Sequence, residues 1–226
     1  GNYNGTPSLP ITVLEGVRRK VSPETIVSYA QGCEIADGVP PLSVISSNCL
    51  RPAGGSAKLT GLRGTYYRNP SFEGQPAFTR VDATVDFVWS EASPASGNPA
   101  DPFSVRWAGV LIPPVTGQYR LGARGYTQYR VMLDGERVVE YQGIHHPVTV
   151  TREVQLEAGR LYRIEVEYVN TSVDAHIQLL WSLPGVDTVR QALEVAARAD
   201  VVVMVLGISP SLEGEEMPID VAGFDK

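Results

Sequence analysis

Leu161-Tyr162-Arg163-Ile164-Glu165-Val166-Glu167-Tyr168-Val169 alternates strictly between apolar and charged side chains. In an extended chain that period of two puts Tyr162, Ile164, Val166 and Tyr168 on one face and Arg163, Glu165 and Glu167 on the other, so the segment reads as a strand with one buried and one wet side. Upstream, Val131-Met132-Leu133 and Arg137-Val138-Val139 flank Asp134-Gly135, whose tolerance of positive φ suits a tight hairpin. Downstream, Ile177, Leu179 and Trp181 alternate with His176 and Gln178 and predict a closing strand. From Gly61 to Trp181 short alternating runs are separated by turn residues every eight to twelve positions, the pattern of a sandwich or barrel.

Outside this β region the period changes. Thr12-Val13-Leu14-Glu15 fits a capping box, with Leu14, Val17 and Val21 following at helical spacing. Residues 25–30 read as a β-rich run, and residues 32–58, rich in Pro, Gly and Ser, as a connector. After Pro184-Gly185, Asp187 is a natural N-cap for an amphipathic helix carrying Val189, Ala192, Leu193, Ala196 and Ala197. The run Val201-Val202-Val203-Met204-Val205-Leu206-Gly207 then has the continuous apolar character of a strand buried on both faces in a parallel sheet. Two α/β ends around a β middle predict a sandwich inserted into a surface loop of another domain, because a domain with neighbouring termini is tolerated there. Two helices and two strands are too few for a complete α/β domain, so the chain reads as a portion of a larger protein.

Composition narrows the function. With 226 residues, 43% hydrophobic and 19% charged, the chain can bury a core and is not of the disordered class. The longest apolar run, 201–206, is far short of the ~18 residues of a membrane span, and the first residues have no basic start followed by an apolar stretch. A net charge of -6 without basic clusters argues against a nucleic-acid partner. Cys33 and Cys49 form neither a C-x-x-C pair nor a thiolate zinc site, and a disulfide and two free thiols both remain open.

Three places carry chemistry. Glu213-Gly214-Glu215-Glu216 follows the last apolar run, and loops at the carboxyl ends of parallel strands are where ligands bind. Clustered, partly desolvated carboxylates raise one another's pKa, which suits a general acid; a solvated acidic loop is the plain alternative. Arg124, Tyr126 and Gln128, read as a connection between strands at Leu121 and Val131, combine hydrogen-bond donors with an aromatic face suited to a sugar ring. His145 and His146 point to opposite faces if extended and cannot chelate one ion together, and His176 lacks a second ligand at useful spacing. There is no G-x-S-x-G, G-x-G-x-x-G or P-loop.

These residues resemble a known combination. Gly61-Leu62-Arg63-Gly64-Thr65-Tyr66-Tyr67, Phe103-Ser104-Val105-Arg106-Trp107-Ala108-Gly109, Pro113-Pro114-Val115-Thr116-Gly117-Gln118-Tyr119, Leu133-Asp134-Gly135 and Leu179-Leu180-Trp181 resemble the β-sandwich named from bacterial protective antigen. The flanks, through Leu14-Glu15-Gly16-Val17-Arg18, Tyr29-Ala30-Gln31-Gly32-Cys33 and Leu212-Glu213-Gly214-Glu215-Glu216-Met217-Pro218, resemble the α/β sandwich domain of glycoside hydrolase family 3. The implied fold is mainly β: a protective-antigen-type sandwich at 58–183 set into partial α/β elements at 1–57 and 184–226.

What the resemblance implies is part of a retaining β-glycosidase acting on β-linked glucosides or xylosides. Its barrel domain supplies an Asp nucleophile and its α/β loop the acid/base, at Glu213, with Glu215 and Glu216 as competitors. The partners implied are an oligosaccharide or β-glycoside and the barrel domain of the same enzyme. No Ser-Asp-Trp sequence is present to carry the nucleophile, so the chain alone is expected to be inactive. No cofactor is implied. Some sugar-binding relatives of the sandwich hold calcium with successive Asp residues; Arg124-Gly125-Tyr126-Thr127-Gln128 stands at that place, so no metal site is expected. The family's substrates imply a periplasmic or secreted protein. A stand-alone carbohydrate-binding module and a structural or dimer-contact domain are the competing readings.

Overall fold

A computed structural model of the chain describes residues 11–33, 41–55, 58–89, 93–98, 100–185 and 187–207, with the side chains of 144–146 left aside. The chain divides into two compact units, one formed by the two ends, Gly1–Pro41 and Val186–Lys226, the other by Leu42–Gly185.

The central unit is an antiparallel sheet that curls on itself. Its strands are β1 (Ser43–Val44), β2 (Leu50–Pro52), β3 (Leu62–Tyr67), β4 (Phe78–Asp82), β5 (Asp86–Val88), β6 (Phe103–Leu111), β7 (Gly117–Leu133), β8 (Glu136–Leu156), β9 (Tyr162–Asn170) and β10 (His176–Ser182). Neighbours follow the order β1-β10-β7-β9-β6-β3-β4, with β2 on β6, β5 on β10 and β8 on β7. The alternation of residues 162–168 is realised in β9, where Tyr162, Ile164, Val166 and Tyr168 are buried. Ile177, Leu179 and Trp181 of β10 are buried as expected. Asp134 (φ 51) and Gly135 (φ 88) form the predicted hairpin between β7 and β8, and the Asp134 carboxylate accepts from the Arg163 backbone N–H at 2.7 Å. The fold is mainly β, as the sequence predicts.

Trp107 sits at the centre of the core, with Phe87 stacked on it at 5.7 Å and Tyr66 edge-on at 6.1 Å. Burial of such rings supplies most of the driving force. One buried carboxylate organises their polar tips: Asp82 accepts from Tyr66 Oη at 2.6 Å, Trp107 Nε1 at 2.8 Å and Arg80 Nε at 2.6 Å. Burial, then the Asp82 bond, pushes the Tyr66 hydroxyl's pKa well above the ordinary tyrosine range, so it stays a donor.

Several expectations change. Residues 32–58 are more than a connector: Ile45 and Leu50 are buried, and β1 and β2 pair with β10 and β6. The apolar pairs Val44-Ile45 and Cys49-Leu50 are separated by Ser46-Ser47-Asn48, so no period announces them. Pro52, lacking an N–H, is accommodated at the end of a three-residue strand. The stretch from Leu121 to Val131 is not a connection but the middle of one continuous strand, β7.

In the unit formed by the ends, the capping box is made: Thr12 caps α1 (Val13–Lys20) and accepts from the Glu15 N–H at 3.2 Å. Asp187 caps α2 (Thr188–Ala196), accepting from the Arg190 N–H at 2.8 Å. Neither 25–30 nor 201–207 joins a ladder among the described residues, and Val201 to Leu206 are 56–81% exposed. A parallel strand is made by its neighbours, and the described part of this unit contains none to pair with it. Cys33 and Cys49 are free thiols, and burial pushes the Cys49 pKa up.

Candidate functional site

Arg124, Tyr126 and Gln128 lie on the half-exposed face of β7, while Ala123, Thr127 and Tyr129 face inward. The strand changes neighbour here. Arg120 to Gly125 pair with β10, Gln128 to Leu133 pair with β9, and Tyr126 and Thr127 stand at the seam. On its other edge β7 runs against β8 with a large bulge: Gly125 is opposite Val148 and Thr127 opposite Gly143, so Tyr126 faces the extra backbone of residues 144–147. Bulges of this kind break the ladder and re-aim side chains.

Thr127 holds the seam with a φ of 55°, a conformation that a β-branched residue rarely adopts. Its hydroxyl donates to the Val169 carbonyl and lies 3.5 Å from Asn170 Oδ1. Asn170 Oδ1 also accepts from Tyr168 Oη at 3.3 Å, and that oxygen accepts from the His176 backbone N–H at 3.1 Å. A buried polar chain therefore ties the kink in β7 to the start of β10. Over-determined strain of this kind concentrates where a side chain must be placed.

The outward cluster combines two of the three predicted residues with partners from other strands. Arg124 is in register with Gln178, whose amide donates to Asp86 Oδ1 of β5 at 2.9 Å. His176 is two residues before Gln178 on the same face. Burial holds the His176 imidazole below its ordinary pKa; the Arg124 charge adds to that and Asp86 with Gln178 partly offsets it. Burial pushes the Tyr126 hydroxyl's pKa up, Asp174 reinforces this and Arg124 opposes it. At neutral pH the face thus presents a guanidinium, a protonated phenol, an uncharged imidazole and an amide, with the carboxyl groups of Asp86 and Asp174 close by. Arg124 Nε is buried and has no hydrogen-bond partner. Gln128 lies on the same face beyond the seam, in register with Val169 and Gln142, and is not joined to the cluster.

Hydrogen-bond donors beside an aromatic face are chemistry suited to the hydroxyls and C–H face of a ring-shaped ligand. Among the described residues no group of three or more His, Cys, Asp or Glu could hold a metal ion. Glu213, Glu215 and Glu216 lie outside the described residues. The contributions of Asp86, Asp174, His176 and Gln178 are not foreseen in the sequence. The outward phase of His176 and Gln178 against Ile177 is readable, but which strand lies beside them is a long-range pairing that no local pattern reports.

Residues 58–194 match the PA14 domain. Over 236 aligned residues the chain is 27% identical to a xylan 1,4-beta-xylosidase of Xylanibacter ruminicola, taking in 99% of this chain and 25% of that protein. It is 32% identical over 123 residues to anti-sigma-I factor RsgI3 of Acetivibrio thermocellus, 54% of this chain and 19% of that protein. A beta-glucosidase of Rhizobium radiobacter is 25% identical over 214 residues, 87% of this chain and 24% of that protein. The chain spans a quarter or less of the length of these relatives. With well over half of its residues matched, the chain belongs to the PA14 domain family.

Proposed function

We propose that this chain is part of a retaining β-glycosidase of glycoside hydrolase family 3, acting on β-linked xylosides or glucosides, and that its PA14 sandwich shapes substrate binding. The observation that carries the reading is the alignment with the xylosidase, which extends beyond the sandwich over 99% of the chain. The division of the protein is then 1–57 and 184–226 as parts of an α/β domain, with 58–183 inserted, and a barrel domain elsewhere in the polypeptide. The exposed apolar side chains Val201 to Leu206, with Leu193 at 65% exposure, support a covering partner, since contiguous apolar surface is rare on a free domain.

In this reading Glu213 protonates the departing glycosidic oxygen while a barrel carboxylate ~5–5.5 Å away attacks the anomeric carbon; Glu213 then takes a proton from the water that releases the sugar. The chain alone is inactive for want of the nucleophile. Arg124, Tyr126 and Gln128 contact the saccharide outside the cleaved bond. The substrates place the enzyme in the periplasm or outside the cell.

In the intact enzyme Glu213→Gln is expected to cut hydrolysis of poor leaving groups on the order of a hundredfold or more, with much less effect on activated aryl glycosides that need no acid. An equal loss on both substrates refutes the assignment. A second reading, a carbohydrate-binding module acting by itself, is favoured by one feature: the Arg124–Tyr126 cluster is complete within the central unit. Titrating xylo- and cello-oligosaccharides into the chain distinguishes the two. Affinity that Tyr126→Ala abolishes supports the module.

A further inference from the structure

The second half of β8 carries a row of side chains on its inward phase, and one member of that row is out of character. Tyr119 is opposite Val154, Leu121 opposite Arg152 and Ala123 opposite Val150, and the three β7 residues are wholly buried. Cross-strand partners share a face, so Val150, Arg152 and Val154 all lean toward the core, with buried Leu156 beyond them. Val150 and Val154 do pack against it. Arg152 puts a charge where the period of two requires an apolar side chain, whereas Arg120 and Arg124 of β7 and Arg163 of β9 take the outward phase. It stays exposed by reaching sideways: its Nη1 donates at 3.4 Å to the carbonyl of Arg137, on the first half of the same strand.

The strand that carries it is an edge. β8 pairs with β7 on one side, and among the described residues no strand pairs with the other. An open edge with an apolar inward row is a template for a further strand, and an inward-pointing charge closes it, since a strand laid there would dehydrate that charge. We propose that the β8 edge is a latent interface with a second copy of this chain and that Arg152 holds it shut. A two-fold axis normal to the sheet sets the two edges antiparallel, with residues of like phase opposite one another. In every such register that pairs Arg152 within 148–156, its counterpart is Val148, Val150, Val154, Leu156 or the Arg152 of the other copy, never a carboxylate. The guanidinium would lose its water without gaining an acceptor. With the charge removed, the same registers lay valine and leucine against one another, and nothing opposes the pairing. This inference does not depend on the glycosidase reading.

Sedimentation velocity of the full chain, native and variant, tests this, with hydrogen exchange locating the contact. Arg152→Val is expected to raise the self-association constant on the order of tenfold or more over native and to slow amide exchange across 148–156. Arg152→Lys should behave as native, because it keeps a charge on the inward phase. Glu153→Val, one residue along and outward, should leave association within about twofold of native, which separates the phase of the side chain from the mere loss of a surface charge. Native-like association of Arg152→Val overturns the inference, as does equal association of Arg152→Val and Glu153→Val. Association that protects Val201–Leu206 and leaves 148–156 unchanged also overturns it, and so does a native chain already paired through 148–156. Arg152→Val gives up one long hydrogen bond, so its urea midpoint should not fall below native. If that variant does not fold, Arg152→Thr, also neutral and β-branched, carries the same expectations.

Discussion

Asp82 is the residue whose loss the core would feel most. Its side chain is 5% exposed and accepts from a tyrosine, a tryptophan and an arginine at once. Asp82→Ala strands the Tyr66 hydroxyl and the Trp107 indole N–H in an apolar interior, while Arg80, nearly half exposed, can return to water. The expected loss is about 2–5 kcal/mol, seen as a lower urea midpoint with an unchanged slope. A value under about 0.5 kcal/mol would mean that the network contributes nothing net. His176 makes a second prediction at this scale. Its folded pKa lies below that of the unfolded chain, so the unfolded state binds more protons between the two values. The stability it contributes is present above the unfolded pKa and is lost as pH falls toward the folded one. Melting temperature is therefore expected to drop from pH 7 to pH 5 more steeply in the native chain than in His176→Gln, the difference not exceeding ~1.4 kcal/mol per pH unit for one proton. Identical slopes would place the imidazole in water.

Among the elements, β7 decides where Arg124 and Tyr126 are presented. Thr127 combines an unfavourable φ with a hydroxyl bond to the Val169 carbonyl. Thr127→Val keeps the shape and the strained backbone but removes the bond, so it should cost about 1–2 kcal/mol, while Thr127→Ser should stay near the native value. Equal stability of the two variants in chemical denaturation would show that the hydroxyl is not what holds the kink. The same strand shows how far sequence reading reaches. The Asp134-Gly135 hairpin and the faces of β9 and β10 were legible because they depend on neighbours a few residues away. The continuity of β7 through Arg124-Gly125-Tyr126-Thr127-Gln128 was not, since glycine and a cluster of polar residues imitate a loop and the pairing that overrides them comes from β8, β9 and β10. For the same reason Arg124 and Tyr126 were found as candidates by residue type, while their companions Asp86, Asp174, His176 and Gln178 required the fold.

At the level of the whole molecule, the hydrophobic core belongs to one unit. Its buried members run from Ile45 to Trp181. In the other unit the described helix α1 buries no residue and α2 buries only Thr188. Limited proteolysis should accordingly trim the ends and leave a resistant species close to Leu42–Gly185, identified by mass spectrometry, that keeps the cooperative melt of the full chain. Early cleavage within β7 or β8 would contradict this picture.

Because β7 pairs with β10 along its first half and with β9 along its second, the halves of the curled sheet cannot open like the covers of a book without tearing their own spine. Moving one half against the other must therefore bend this shared strand, and amide exchange along it is expected to be among the slowest in the chain.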